Sequence, residues 1–295
     1  MTIIIRKKLK NTNSSICQKY FNLRLQVGCI LIICVIGIMF FVVVNLLKKK
    51  ILYHPDKKHY LNPSQILQNI CHQNLMIKHH NVTVHSWLFK HHETAPTILV
   101  SHGNGGNLCY RGHLIRIIYS LGVNVCIYDY QGYGHSTGYP SEQNFYADGD
   151  AMVQYLTKHL HIPSDQIIFW GESIGCAVAA YLARKYQSRK LVLLSGFASV
   201  KEMFYHLIST YPSFLKIFGA LFSEFPTHHY LTQYAGNVLL LHSRNDEIVP
   251  YHQAVINARL SHCKLLNIKG THNSPIFSNQ ILGKIREFIN KSPTK

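Results

Sequence analysis

The stretch Gln166–Tyr186, QIIFWGESIGCAVAAYLARKY, most constrains what this chain can become. An apolar, β-rich run ends at Trp170. An alanine-rich, helix-compatible run starts at Ile174. Between them Ser173 stands two residues from each of two glycines, Gly171 and Gly175. A strand that turns directly into a helix over so few residues needs a sharp bend, and the bend leaves the serine in a strained backbone state. Side chains at the two glycine positions would collide with the neighbouring strand and helix. Cys176, Ala177, Ala179 and Ala180 are small enough to let the helix lie close to a sheet. The helix N-terminus brings a positive dipole end near any charge developing at the serine. The pentapeptide is a modest signal alone and a strong one in this strand–helix setting.

Other apolar runs repeat the strand signal. Thr97–Ser101, Val123–Tyr128, Leu191–Ser195, Val238–His242 and Leu265–Ile268 are short and apolar on both alternations, as buried parallel strands are. Met76–Phe89 reads as two strands around a polar turn at His79–Asn81. Helix-length stretches lie between, at about Leu108–Leu121, Ser141–Leu160, Ile174–Tyr186, Tyr251–Leu260 and Phe277–Ile289. This alternation predicts an α/β fold, a mostly parallel central sheet with helices on both faces. Phe197–Tyr234 breaks the rhythm and is rich in Phe and Tyr. Two readings stand: ordinary core helices, or a cap insertion over a site for an apolar substrate.

A nucleophilic serine needs a base, and the base needs an orienting acid. The expected chain order is serine, acid, histidine. Asp246 follows the strand Val238–His242 and is the expected acid, with Glu247 as runner-up. His272 follows the last strand and Gly270 and is the expected base. His252 and His262 are poorer candidates because they sit on or at the end of a predicted helix. Two backbone donors should face a developing oxyanion. The Ile174 amide is one. Asn104, in the glycine-rich loop HGNGGN after Thr97–Ser101, is the other. That loop lacks the Gly-Lys-Ser/Thr ending of a phosphate cradle. Asp129 and His135, in YDYQGYGHSTG, precede Ser173 and read as structural, Asp129 bonding backbone amides of its own loop.

Val27–Leu47 holds no charge and one amide, Asn45. At about 1.5 Å per residue it spans a hydrocarbon layer. The following NLLKKK lacks a small-residue cleavage site, which favours an uncleaved anchor over a signal peptide. The predicted organisation is a basic tail (1–26), a transmembrane helix (27–47), a juxtamembrane connector (48–70) and a catalytic domain (71–295) with the cap reading at 197–234. Net charge is +17. The flanks, Arg6 to Arg24 and Lys48 to Lys58, hold eleven basic residues against one acid, Asp56. Such clusters attract anionic lipid head groups. With no basic stripe elsewhere and no nucleic-acid motif, the reading is a single-pass membrane protein and no nucleic-acid partner. Both flanks are basic, so the side of the membrane is not assigned. Eight cysteines show no disulfide or metal spacing. Histidine pairs such as His79-His80 and His91-His92 read as surface residues, and no metal site is expected.

HGNGGN, YDYQGYGHSTG, GESIG, NDEIVP and GTHN together resemble the α/β-hydrolase superfamily, from about Thr97 to the C-terminus. Within it the chain is similar to the membrane-associated, Bem46-like branch, which includes α/β-hydrolase-domain proteins of types 13 and 17. The resemblance implies an α/β-hydrolase fold, with Ser173, Asp246 and His272 as nucleophile, acid and base. It also implies a serine hydrolase acting on esters, thioesters or lipids, without cofactor. Glu172 departs from the pattern, adding negative charge beside the nucleophile unless it points away. Type 17 relatives attach to membranes through lipidated cysteines rather than a hydrophobic span, which argues against transferring protein depalmitoylation to this chain. The expected function is a membrane-anchored serine hydrolase cleaving a carboxylic ester or thioester of a lipid or acylated substrate. The alternatives are a catalytically idle scaffold on the same fold, or an aminopeptidase-like amidase.

Overall fold

The computed structural model describes residues 2–291; Met1 and residues 292–295 lie outside the described residues. It divides into two compact units at the Leu52–Tyr53 boundary. The first is one helix, α1 (Thr2–Leu52). Within it Gln26–Leu52 is long and apolar enough to cross a membrane, and the expected span Val27–Leu47 lies inside that stretch.

The second unit is built on eight strands: β1 (His72–His79), β2 (Val82–Phe89), β3 (Thr97–Ser101), β4 (Asn124–Tyr128), β5 (Ile168–Glu172), β6 (Lys190–Leu194), β7 (Asn237–Ser243) and β8 (Lys264–Gly270). They lie in the order β8-β7-β6-β5-β3-β4-β2-β1, and a two-residue strand, Pro275–Ile276, pairs antiparallel beyond β8. Pairs β1·β2 and β2·β4 are antiparallel, while every pair from β4 across to β8 is parallel. The central strands are buried on both faces, which explains their unbroken apolar runs. The chain reverses its direction of travel across the sheet between β3 and β5, whose carboxyl ends pair at Ser101 and Gly171. Open α/β sheets place their ligands at such a switch point.

Helices cover both faces. Ile115 and Ile118 of α2 (Gly112–Tyr119) and Ile281, Ile285 and Ile289 of α6 (Asn279–Asn290) share one apolar cluster with Val100, Ile127 and Trp170. Tyr128 points the other way, its hydroxyl 3.0 Å from where a Cβ on Gly149 would lie. Gly149 belongs to α3 (Glu142–His159), which approaches α4 (Gly175–Lys185) at Leu182. The remaining helix of the series, α5 (Tyr251–Leu260), follows β7.

Three expectations shift. The compact unit begins at Tyr53, so residues 53–70 are part of it rather than a connector. His54–Pro55 pairs with Gly105–Gly106, and Ile66 is 3% exposed in the core. Strand β5 starts and ends two residues later than Gln166–Trp170, carrying the ladder to the residue before Ser173. Between 197 and 234 the chain forms two short helices, Val200–Leu207 and Thr227–Leu231, around a 3-10 stretch, Ser213–Leu221. Phe225 is buried, but Leu207, Tyr211, Phe214 and Ile217 are more than half exposed. The middle of the segment is therefore not core.

Candidate active site

Ser173 sits on the turn between β5 and α4 with φ +53°, a left-handed conformation that costs an ordinary side chain. Its amide donates to the Leu194 carbonyl at 2.9 Å, which holds the turn against β6. The flanking glycines are sterically required. A Cβ on Gly171 would lie 2.5 Å from the Cys176 α-carbon, and one on Gly175 2.1 Å from the Ser101 carbonyl oxygen. One glycine thus admits the helix, the other the neighbouring strand.

Asp246 lies just past β7 and His272 just past β8. Both come to the carboxyl end of β5. His272 Nε2 is 3.1 Å from Ser173 Oγ, and His272 Nδ1 is 2.9 and 2.8 Å from the two carboxylate oxygens of Asp246. The Asp246 Oδ1 also accepts the amides of Ile248 and Val249, at 3.0 and 2.7 Å. Burial alone would raise the Asp246 carboxyl. The hydrogen bonds from His272 and the Val249 amide outweigh burial and hold it below the usual carboxylate range. Glu247, the runner-up, takes a different position: its Oε2 accepts the backbone amide of His272 at 3.0 Å. The loop carrying His272 is pinned by a turn between Thr271 and Ser274, with Gly270 at φ +94°. A Cβ there would meet the Ser274 carbonyl at 2.1 Å. His252 lies on α5, and His262 follows it; neither is bonded to Ser173 or Asp246.

The loop HGNGGN lies against the serine. A Cβ on Gly103 would be 3.5 Å from the Ser173 Cβ. Among the described residues, the amides of Asn104 and Ile174 have no backbone acceptor. The Asn104 carbonyl, by contrast, is held twice, by the His54 amide at 3.1 Å and the Tyr133 hydroxyl at 2.7 Å. Asn107 Nδ2 donates to the carbonyls of Asp56 and Lys58 at 3.0 and 2.7 Å. Sequence reading missed this use of residues 54–58, because backbone bonds leave no side-chain signature.

Glu172 does not leave an unpaired charge beside Ser173. Its Oε2 forms an ion pair with Arg111 Nε at 2.8 Å and accepts the Gly103 amide at 3.3 Å. Arg111 Nη2 in turn donates to the Gly105 carbonyl at 2.8 Å. Together they clamp the glycine-rich loop. Arg111 was not singled out in the sequence; only its position after that loop pointed to it.

Asp129 is structural, though not as expected. Its Oδ1 accepts the Leu108 amide of the neighbouring loop at 3.0 Å, rather than amides of its own loop. Imidazoles surround it: His102 Nε2 is 3.5 Å from Oδ1, and His85 Nδ1 and His59 Nε2 are 3.5 and 3.8 Å from Oδ2.

A cleft of about 750 Å³, lined among others by Pro96, Thr97, Asn124, His161 and Arg189, opens at the amino ends of the parallel strands. It is at the wrong end of the sheet to serve Ser173.

This geometry can be compared with known proteins. Residues 96–226 match the alpha/beta hydrolase fold family. An uncharacterized protein of Mycobacterium tuberculosis is 30% identical over 70% of this chain and 74% of its own length. The chain belongs to the α/β-hydrolase superfamily. Protein bem46 of Schizosaccharomyces pombe is 37% identical over 173 residues, 56% of each chain. An esterase of Pyrococcus furiosus superposes with a TM-score of 0.65 at 17% identity, over 82% of this chain and 99% of that one. This α/β hydrolase therefore shares its fold with a protein of widely diverged sequence.

Proposed function

We propose that this α/β hydrolase is a membrane-anchored serine hydrolase that cleaves a carboxylic ester or thioester of a lipid or acylated substrate. The observation that carries the reading is the unbroken contact chain from Asp246 through His272 to Ser173, 2.8 Å and 3.1 Å long at its two joints. His272 Nδ1–H donates to the carboxylate, so Nε2 carries the lone pair that accepts the Ser173 proton. The Ser173 oxygen attacks the acyl carbonyl, and the amides of Asn104 and Ile174 bind the oxygen that becomes negative. His272 then gives the proton to the departing alcohol or thiol. Water enters, loses a proton to the same imidazole, and releases the acid from the acyl-enzyme. The Glu172–Arg111 clamp keeps the oxyanion loop in register without leaving net negative charge beside it.

Support for a membrane setting comes from the apolar stretch Gln26–Leu52 and its basic flanks. Support for an apolar acyl group comes from the exposed Leu207, Tyr211, Phe214 and Ile217 in the segment that leaves β6 beside Ser173. That segment is read as a cap. The test is labelling of the full-length protein with a fluorophosphonate probe, followed by turnover of p-nitrophenyl esters of increasing chain length and of aminoacyl amides. Labelling lost in Ser173→Ala, with esters turned over and amides not, is the expected result. Absence of labelling in the intact protein would favour a scaffold, and preference for amides a peptidase.

A further inference from the structure

A second group of chemistry-bearing side chains lies apart from Ser173. His59, His85 and His135 each present one ring nitrogen, and the three atoms lie within 4.8 Å of one another. The Oδ2 of Asp129 faces the same point, 3.5 Å from His85 Nδ1 and 3.8 Å from His59 Nε2. Three features separate this group from a chance gathering of surface histidines. His59 Nε2 is buried and has no hydrogen-bond partner. A buried nitrogen without a partner is costly, and native structures rarely keep one without a use. His85, 1% exposed, bonds Asn74 Oδ1 through Nε2 at 2.6 Å. A carbonyl oxygen can only accept, so that bond puts the His85 proton on Nε2 and frees the Nδ1 lone pair. Histidines that ligate metals are oriented in this way by their second nitrogen. Finally, a Cβ on Gly134 would fall 2.0 Å from Asp129 Oδ2 and 2.7 Å from His59 Nε2. Glycine at that position keeps the space between carboxylate and imidazole clear.

We propose that His59, His85, His135 and Asp129 form a binding site for a divalent metal of borderline softness, zinc being the best match. Three imidazole nitrogens and one carboxylate oxygen make a four-ligand set in which no position is left for a reacting water, which marks a structural rather than a catalytic ion. The ligand atoms are farther apart than the roughly 3.3 Å edge of a tetrahedron with ~2.0–2.1 Å bonds. His135 is exposed and stacks on His59, with ring centroids 3.6 Å apart and planes 15° apart, so closing the set requires its side chain to turn out of that stack. The buried negative charge of Asp129 gains a compensating cation. The ion ties three remote pieces together: the start of the compact unit through His59, the antiparallel strand β2 through His85, and the loop after β4 through His135. The other carboxylate oxygen of Asp129 holds the Leu108 amide and faces His102, so the site sits directly behind the glycine-rich loop.

The experiment uses full-length, tag-free protein in detergent, stripped with a chelator and titrated with Zn²⁺ and, separately, Co²⁺. One equivalent should bind tightly, Co²⁺ should give the strong visible bands of a tetrahedral site, and Zn²⁺ should bleach them and raise the melting temperature. His135→Asn changes an exposed side chain and should abolish the stoichiometric uptake with the circular dichroism unchanged; His59→Asn should do the same. Asn74→Ala touches no metal and should weaken binding about 10–100-fold. The double variant His91→Asn/His92→Asn, an exposed pair elsewhere, should bind as wild type does. No stoichiometric uptake by the wild type overturns the proposal. So does uptake that survives in His135→Asn, or that is lost in the His91/His92 variant.

Discussion

Asp246 and Asp129 both hold imidazoles, and they do so to different ends. Asp246 bonds His272 at 2.8 Å, with His242 Nε2 farther off at 3.4 Å, and the far nitrogen of the His272 ring reaches a hydroxyl. Asp129 meets three histidines at 3.5 to 3.8 Å, and none of these rings reaches a hydroxyl nucleophile. A single close partner fixes a tautomer and directs a lone pair outward. Two of those looser partners, His59 and His85, present ring nitrogens that converge with one from His135 beside Oδ2, while His102 faces Oδ1. The difference lies in supply: Asp246 is fed by loops at the ends of adjacent parallel strands, while Asp129 is approached by segments from both sides of an antiparallel pair. The same two residue types give a proton relay in one place and, in our reading, a cation site in the other.

The sharpest way to break this contrast is Ser173→Ala. If the relay does the chemistry, ester turnover falls by about 10⁶-fold and probe labelling vanishes, while metal uptake is untouched. Asp246→Asn should lower kcat by about 10⁴-fold, because the amide can favour the wrong imidazole tautomer. Asp129→Asn at the other cluster should instead show as lost stability and metal uptake. Arg111→Ala should cost up to about 10²-fold in kcat by letting the glycine-rich loop shift, with Ser173 still reactive toward the probe. Gly175→Ala drives a methyl against the Ser101 carbonyl, and chemical denaturation should show a loss of about 1–3 kcal/mol or more.

The smallest effect concerns pH. The Asp246 carboxyl titrates below its unfolded value, so its contribution to stability is present above the unfolded pKa of about 3.9 and is lost as pH falls through the folded value. The stability gap between wild type and Asp246→Asn, followed by thermal melts, should therefore narrow on acidification below about pH 4. A gap that widened instead would place the carboxyl in a different environment.

The first cluster was legible in the sequence and the second was not. Ser173 announces itself because the glycines, the strand before and the small-residue helix after are neighbours in the chain. Asp246 and His272 follow from strand order, since each lies one loop beyond a readable apolar run. His59, His85 and His135 share no spacing; among twenty histidines His59 and His85 carry no signal of their own, and His135 reads as structural in its glycine-rich loop. Only the antiparallel addition of β1 and β2 beyond β4 brings them together, and sequence patterns carry no register across such distances. Residues 53–70 were misread for a related reason. They are held by backbone bonds such as His54 to Asn104, which hydrophobic periodicity cannot report. The exposed aromatics Tyr211, Phe214 and Phe218 look like core material in composition, and only their accessibility separates the two.

The left-handed backbone at Ser173 has one more implication. Any residue with a side chain is held there at a penalty of roughly 1–2 kcal/mol, which glycine escapes. Glycine also loosens the unfolded chain, at a cost of about 0.4–1 kcal/mol. The balance favours Ser173→Gly, so a protein stripped of its hydroxyl at this turn should survive heat slightly better than the one that keeps it. Readiness to react is stored here as a local discomfort of the main chain, and selection for robustness alone would erase it.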